Sequence, residues 1–241
     1  MSSHQQSEEP HRLAVAGRHA DIARDVGHRL AQSWLPRSRF ADVTRLAQQT
    51  LTLGPDAGAL YDLGWAQRAT GHPSDALAAY AQALTLYRAA EDRGGEAATL
   101  NSIGAVYAGL GDRQQALDYY RQALPIHREV GDRGGEATTL NNIGLVYAGL
   151  GDHQQALDHY RQALPITREV GDRAGEAITR YNMAMIYRVL GDLDAAITEL
   201  EQVVDLDRQV QHPDLAADTA MLTRLRQEHA AAPPHPGPAP S

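Results

Sequence analysis

Apolar and polar positions along this chain recur with the spacing of helices and not of strands. In residues 131–170, Leu140, Ile143, Gly144 and Tyr147 stand three and four apart, and so do Ala156, Tyr160, Ala163 and Leu164. Each set therefore falls on one face of an α-helix. Gly151 lies between the two sets, where a glycine lets the chain turn through the left-handed region. Asp152 follows it, three residues before Gln155, the arrangement that caps a helix N-terminus. The same glycine–aspartate punctuation stands at Gly111 and Asp112, Gly131 and Asp132, and Gly191 and Asp192. The pattern predicts two helices of about 16 residues, each roughly 25 Å long, and two tight turns in every forty residues.

The pattern is also a repeat. Residues 91–130 and 131–170 differ at only seven of forty positions, which makes them copies of one unit. Residues 54–90 and 171–210 follow the same frame more loosely. Residues 13–53 read as a degenerate N-terminal repeat or cap, and 211–229 as a C-terminal capping helix. Residues 1–12 and the proline-rich 230–241 read as disordered tails. Small residues line up at Gly104, Gly144 and Ala184, and at Ala76, Ala116, Ala156 and Ala196. Helix axes can approach closely there, and Tyr80, Tyr120 and Tyr160 fill the adjacent gap. No unit can bury its apolar face alone, so neighbours must stack into an all-α solenoid.

The small-residue rows and the alanine–tyrosine–alanine run of each second helix resemble tetratricopeptide repeats. The form with about 34 residues per repeat usually ends its second helix in proline. Arg88, Arg128, Arg168 and Arg208 stand at that place here, so the helix can run on. This is similar to the longer repeats of kinesin light chains and of bacterial signal-transduction ATPases. The resemblance covers about residues 20–230. It implies a right-handed superhelical solenoid of antiparallel helix pairs, with the first helices lining a concave groove that holds a protein or peptide.

On that resemblance the inward rows are Tyr61, Asn101, Asn141 and Tyr181; Asp62, Ser102, Asn142 and Asn182; and Trp65, Ala105, Leu145 and Met185. Arg68 and Arg188 fall near the far ends of the first helices. The candidate ligand-binding residues are these rows without Asp62 and Ala105, together with the two arginines. Asparagine is a poor choice inside a helix because its side chain competes for the backbone. Asn141 beside Asn142 therefore needs a reason. The amides can grip the backbone of an extended peptide, donating and accepting at once, or they can bond across to the neighbouring repeat. The sequence leaves both open. Three of the seven differences between the twin units share a face of the first helix: Ala98 against Thr138, Ser102 against Asn142, Ala105 against Leu145. Arg113 against His153, Tyr119 against His159 and His127 against Thr167 lie on or beside the second helix. Glu91 against Gly131 is the last. The core rows are expected to match.

Composition narrows the chemistry. There is no cysteine, which removes disulfides, thiolate metal sites and a cysteine nucleophile. All 22 basic residues are arginine, so phosphate-loop and Schiff-base lysines are also excluded. The absence of lysine, with neutral or apolar inward positions, argues against a chaperone-tail clamp on a terminal carboxylate. The net charge of −8 argues against nucleic acid as a partner, although residues 11–50 carry seven arginines against three aspartates. The histidines are poorly phased for a metal site. No Gly-x-Ser-x-Gly elbow is present. Arg93, Arg133 and Arg173 precede Glu96, Glu136 and Glu176 by three residues, which predicts surface pairing. No apolar run is long enough for a membrane span and no signal peptide is visible, so a cytoplasmic protein is expected. No enzyme and no cofactor are expected. Two functions remain: an adaptor that holds a partner peptide, or a sensor subunit acting in trans on a signalling ATPase or transcription factor.

Overall fold

The computed structural model describes residues 3–231, with side chains from Glu8 onward. No strand occurs among the described residues. The chain divides into two compact units, residues 1–132 and 133–241.

The first unit contains α1 (Ser3–Ala16), α2 (Ala20–Trp34), α3 (Phe40–Leu51), α4 (Ala57–Ala69), α5 (Pro73–Ala89), α6 (Arg93–Gly109) and α7 (Arg113–Val130). A short 3-10 turn, Leu35–Arg37, joins α2 to α3. The second contains α8 (Arg133–Leu150), α9 (His153–Glu169), α10 (Arg173–Leu190), α11 (Leu193–Val210) and α12 (Leu215–Ala231). Each forty-residue unit is thus a helix pair, with helices of 17 or 18 residues from α6 onward. Aspartates cap the starts: the carboxylates of Asp92, Asp112, Asp172 and Asp192 accept from the backbone N–H three residues on. Asp152 does so as expected, and Gln155 reaches back to its carboxylate rather than to its backbone N–H.

Small residues set the spacing within each pair. A β-carbon added at Gly104 would lie 2.7 Å from the ring of Tyr120, and one at Gly144 would lie 2.6 Å from Tyr160. Both rings are almost fully buried. In the last pair the row reads Ala184 against Leu200, both fully buried. The extra methyl on α10 is accommodated by a smaller side chain on α11.

Two expectations need correction. The segment 1–12 is not a loose tail, because α1 begins at Ser3. Few apolar residues mark it, and polar contacts hold it instead. His11 is buried with its Nε2 2.8 Å from Thr50 Oγ1 on α3, and Glu8 pairs with Arg45 at 2.9 Å. The arginine-rich stretch is accordingly engaged within the fold, with Arg39 and Arg45 both on Asp42 and Arg24 on Asp56. The core rows also diverge at one place: His127 and Thr167 are both buried. His127 Nδ1 pairs with Asp132 at 2.8 Å, whereas the Thr167 hydroxyl donates to the Leu164 carbonyl. The proline-rich tail, 230–241, lies outside the described residues apart from Ala230 and Ala231, which end α12.

Candidate ligand-binding faces of the first helices

In the first unit the candidate residues stand on α4 and α6. Tyr61 packs its ring against Tyr80 at 5.7 Å, and its phenol oxygen accepts from Ser102 Oγ at 3.2 Å. Ser102 is 8% exposed, and this bond ties α6 to α4. Trp65 is half-buried beside Phe40, their ring centres 6.0 Å apart, and Arg68 sits over the indole at 5.6 Å. The Trp65–Arg68 stack presents an aromatic face and a cation together at the end of α4. Asn101 is half-buried on α6. Asp62, in the same row as Ser102, is buried with one carboxylate oxygen 3.0 Å from His28 Nδ1 on α2. Burial raises the Asp62 carboxyl above its ordinary value. The hydrogen bond to that carboxylate raises His28 in turn. The row position of Asp62 was visible in the sequence; its histidine partner, 34 residues away in a degenerate repeat, carried no periodic signal.

In the second unit the candidates stand on α8 and α10. Asn141, Asn142 and Asn182 are half-buried, and Asn182 Nδ2 lies 3.5 Å from Asn141 Oδ1. That is a long, weak contact across neighbouring repeats. It spends one donor and one acceptor and leaves each amide further capacity. Leu145 is 55% exposed. Ile178, which sequence reasoning passed over, is 54% exposed one turn before Asn182 on α10. Tyr181 and Met185 are partly buried against the α11–α12 core. Arg188 is held by two hydrogen bonds to Glu228 of α12, at 2.9 and 3.2 Å, so it fixes the last helix in place.

The paired carboxylates at the helix starts are more buried than surface pairing suggested. Glu96 and Glu136 are 6% and 5% exposed and are met by Arg93 and Arg133. Burial opposes ionisation of Glu96, but Arg88 and Arg93 outweigh it and hold the carboxyl below its usual range. The repeat at residues 171–210 departs from this arrangement. Glu176 pairs with Arg168 and Arg180, and Arg173 reaches Gln209 instead. No group of His, Asp or Glu among the described residues could hold a metal ion. No helix among them is long and apolar enough to cross a membrane.

The periodic helix pairs and their glycine–tyrosine contacts match the tetratricopeptide-repeat pattern at residues 59–94, 95–169 and 177–210, together more than half of the chain. This chain belongs to the tetratricopeptide-repeat family. No curated protein matches its sequence. Among solved structures it is similar to the quorum sensor NprR from B. thuringiensis, with a TM-score of 0.74 and 20% identity over 92% of this chain and 64% of that one. It is also similar to a signal transduction ATPase with numerous domains from Pyrococcus horikoshii, a protein with a tetratricopeptide-repeat sensor. There the TM-score is 0.69 with 14% identity, over 88% of this chain and 34% of that one. A third likeness is to the APC/C Cut9–Hcn1 assembly, with a TM-score of 0.67 and 18% identity over 85% of this chain and 36% of the other. The chain spans about a third to two thirds of the length of these relatives. At such identities the likeness shows the fold.

Proposed function

We propose that this tetratricopeptide-repeat protein is a binding module and not an enzyme, one that holds an extended peptide or a helix of a partner protein against its first helices. The observation that carries the reading is the strip on α8 and α10. Exposed Leu145 and Ile178 flank the amides of Asn141, Asn142 and Asn182. Apolar side chains beside amides that both donate and accept suit a peptide, which offers side chains and backbone groups in alternation. Trp65, Arg68 and Asn101 give the first unit a comparable aromatic and polar face.

A displayed library of random peptides tests this. Selection on the wild-type protein is expected to enrich peptides that bind in the micromolar range. Those peptides are expected to weaken several-fold on the Asn141→Ala, Asn142→Ala double variant, with its melting curve close to wild type. Peptides that bind indifferently to both proteins would place recognition elsewhere. A second reading, a sensor subunit acting in trans, draws support from the likeness to a quorum sensor and to an ATPase with a repeat sensor. An ATPase, kinase or DNA-binding gene beside the coding sequence would favour it.

A further inference from the structure

A recess of about 520 Å³ opens in the second unit between α10, α11 and the first turn of α12. Its walls are apolar, supplied by Ile178 and Tyr181 from α10 and by Leu206 and Val210 from α11. Its charged groups are mostly acidic. Asp207, Asp214 and Asp218 line it with His212, and Arg173 stands there engaged by Gln209. Asp207 is 3% exposed, and its Oδ2 is buried without a hydrogen-bond partner. A buried carboxylate oxygen left in this condition is costly and calls for an explanation.

The repeat frame shows how the recess arises. Forty and eighty residues earlier, the position of Asp207 is held by Thr167 and His127. His127 closes on Asp132, five residues on, at 2.8 Å. At the end of the chain the pair is reversed, acid first and histidine five residues later. It does not close: His212 Nδ1 lies 3.9 Å from Asp207 Oδ1 and accepts instead from the backbone N–H of Asp214 at 3.3 Å. A protonated Asp218 carboxyl can meet Asp207, but once Asp218 is ionised the acid lacks a donor at the base of an apolar slot.

We infer that this recess is a specificity pocket for a basic side chain of the bound peptide, an arginine or lysine whose aliphatic stem lies along Ile178 and Leu206 while its cationic head reaches Asp207 and Asp218. Charge and shape agree in this, since such side chains are apolar stems with a cationic tip. The recess falls within the size range of ligand pockets and can also accept part of the residue beside the basic one. Tyr181 and Asn182 line it as well, so it continues the α10 face on which the proposed peptide lies. The inference rests on the peptide-binding reading and adds a charge requirement to it.

The test uses full-length protein and three short capped peptides, Leu-Arg-Leu, Leu-citrulline-Leu and Leu-Glu-Leu, with butylguanidinium as the bare cation. Binding is followed by two-dimensional amide NMR. The arginine peptide is expected to shift the amides of Ile178, Asp207 and Asp218. Citrulline keeps the shape without the charge and is expected to bind at least about tenfold more weakly, as is the glutamate peptide. Asp207→Asn is expected to remove the preference for arginine over citrulline while the helical spectrum stays unchanged. Ile178→Ser, at an exposed site, is expected to weaken the arginine peptide without reversing that preference. Equal binding of arginine and citrulline peptides would overturn the charge requirement. Butylguanidinium binding as tightly as the arginine peptide would mean that the site takes a small cation and not a peptide. Library-selected peptides that respond to Asn141 and Asn142 but not to Asp207 would reject this pocket and leave the broader reading standing. No response to either set would remove both.

Discussion

The twin repeats act as an internal control at the level of single residues. Tyr119 and His159 are among their seven differences, yet both rings stack at 5.5 Å on the tyrosine twelve positions earlier, Tyr107 or Tyr147. The position requires a flat ring and tolerates a change of ring. Glu91 against Gly131 is not neutral in the same way. Glu91 adopts φ 55°, in the left-handed region where its counterpart Gly131 has φ 71°. A side chain there is strained by about 1–2 kcal/mol, offset in part by the greater chain entropy that glycine loses on folding. Glu91→Gly is therefore expected to stabilise the protein by about 0.5–1 kcal/mol in urea unfolding; a loss of stability would mean that the Glu91 side chain makes a contact worth more than the strain. The glycine–tyrosine contact gives a second prediction. Gly144→Ala places a methyl where Tyr160 stands and is expected to cost about 1–3 kcal/mol. The last repeat pairs alanine with leucine at the same two positions, Ala184 and Leu200. The double change Gly144→Ala, Tyr160→Leu is therefore expected to cost less than the sum of the singles, by about 1 kcal/mol in a double-mutant cycle. Strict additivity would show that the two sites do not share one packing volume.

Elements reveal where sequence and structure part company. The helix pairs from α6 to α11 were legible because period, glycine turns and aspartate caps agree with one another at each turn. α1 was not, since it is held by His11, Thr50 and Glu8 rather than by an apolar stripe, and specific long-range polar contacts leave no periodicity. The groove rows were legible as positions on a helix, but their fates depend on what the next helix brings. Ser102 and Asn142 hold the same place in twin repeats. The first is buried on Tyr61, because α4 offers a phenol there, and the second remains half-buried. Exchange of the three divergent residues should therefore not behave as a surface change. Ala98→Thr and Ala105→Leu are each expected within about 0.5 kcal/mol of wild type, as partly exposed sites. Ser102→Asn adds a larger amide at the α4–α6 contact and is expected to cost about 1–3 kcal/mol. A neutral Ser102→Asn in thermal unfolding would show that α4 and α6 adjust at little cost.

At the scale of the whole molecule, stability in a repeat protein is close to a sum over helix pairs and their neighbours, so each docking contact counts in its own right. In the second unit the last described helix is α12, fixed to α10 by Glu228 on Arg188 and to α11 by Arg226 on Glu201. Its first turn bears Asp218, facing Asp207 on α11, with Asp214 and His212 in the loop between and Arg173 on α10. Burial, a hydrogen bond shared with the Asp207 carboxyl and the charge of that carboxyl push Asp218 up to about 6 from 3.8. The folded chain therefore keeps a proton that the unfolded chain has already released between these values, and the contribution of Asp218 to stability falls as pH rises from about 4 to 6. Above that window two carboxylates face each other across the recess. Asp218→Asn removes the repulsion, so it is expected to raise the melting temperature of the full-length protein by a few degrees near pH 7.5 and by much less near pH 4. A bound arginine peptide answers the same repulsion by neutralising it, so its stabilising effect is expected to be larger at the higher pH and largely lost in the variant. Melting curves of both proteins at the two pH values, with and without peptide, measure both effects. An equal gain from the substitution at both pH values would show that the proton on Asp218 is not held by the fold, and α12 would then be anchored through Arg188, Glu201 and its buried leucines alone.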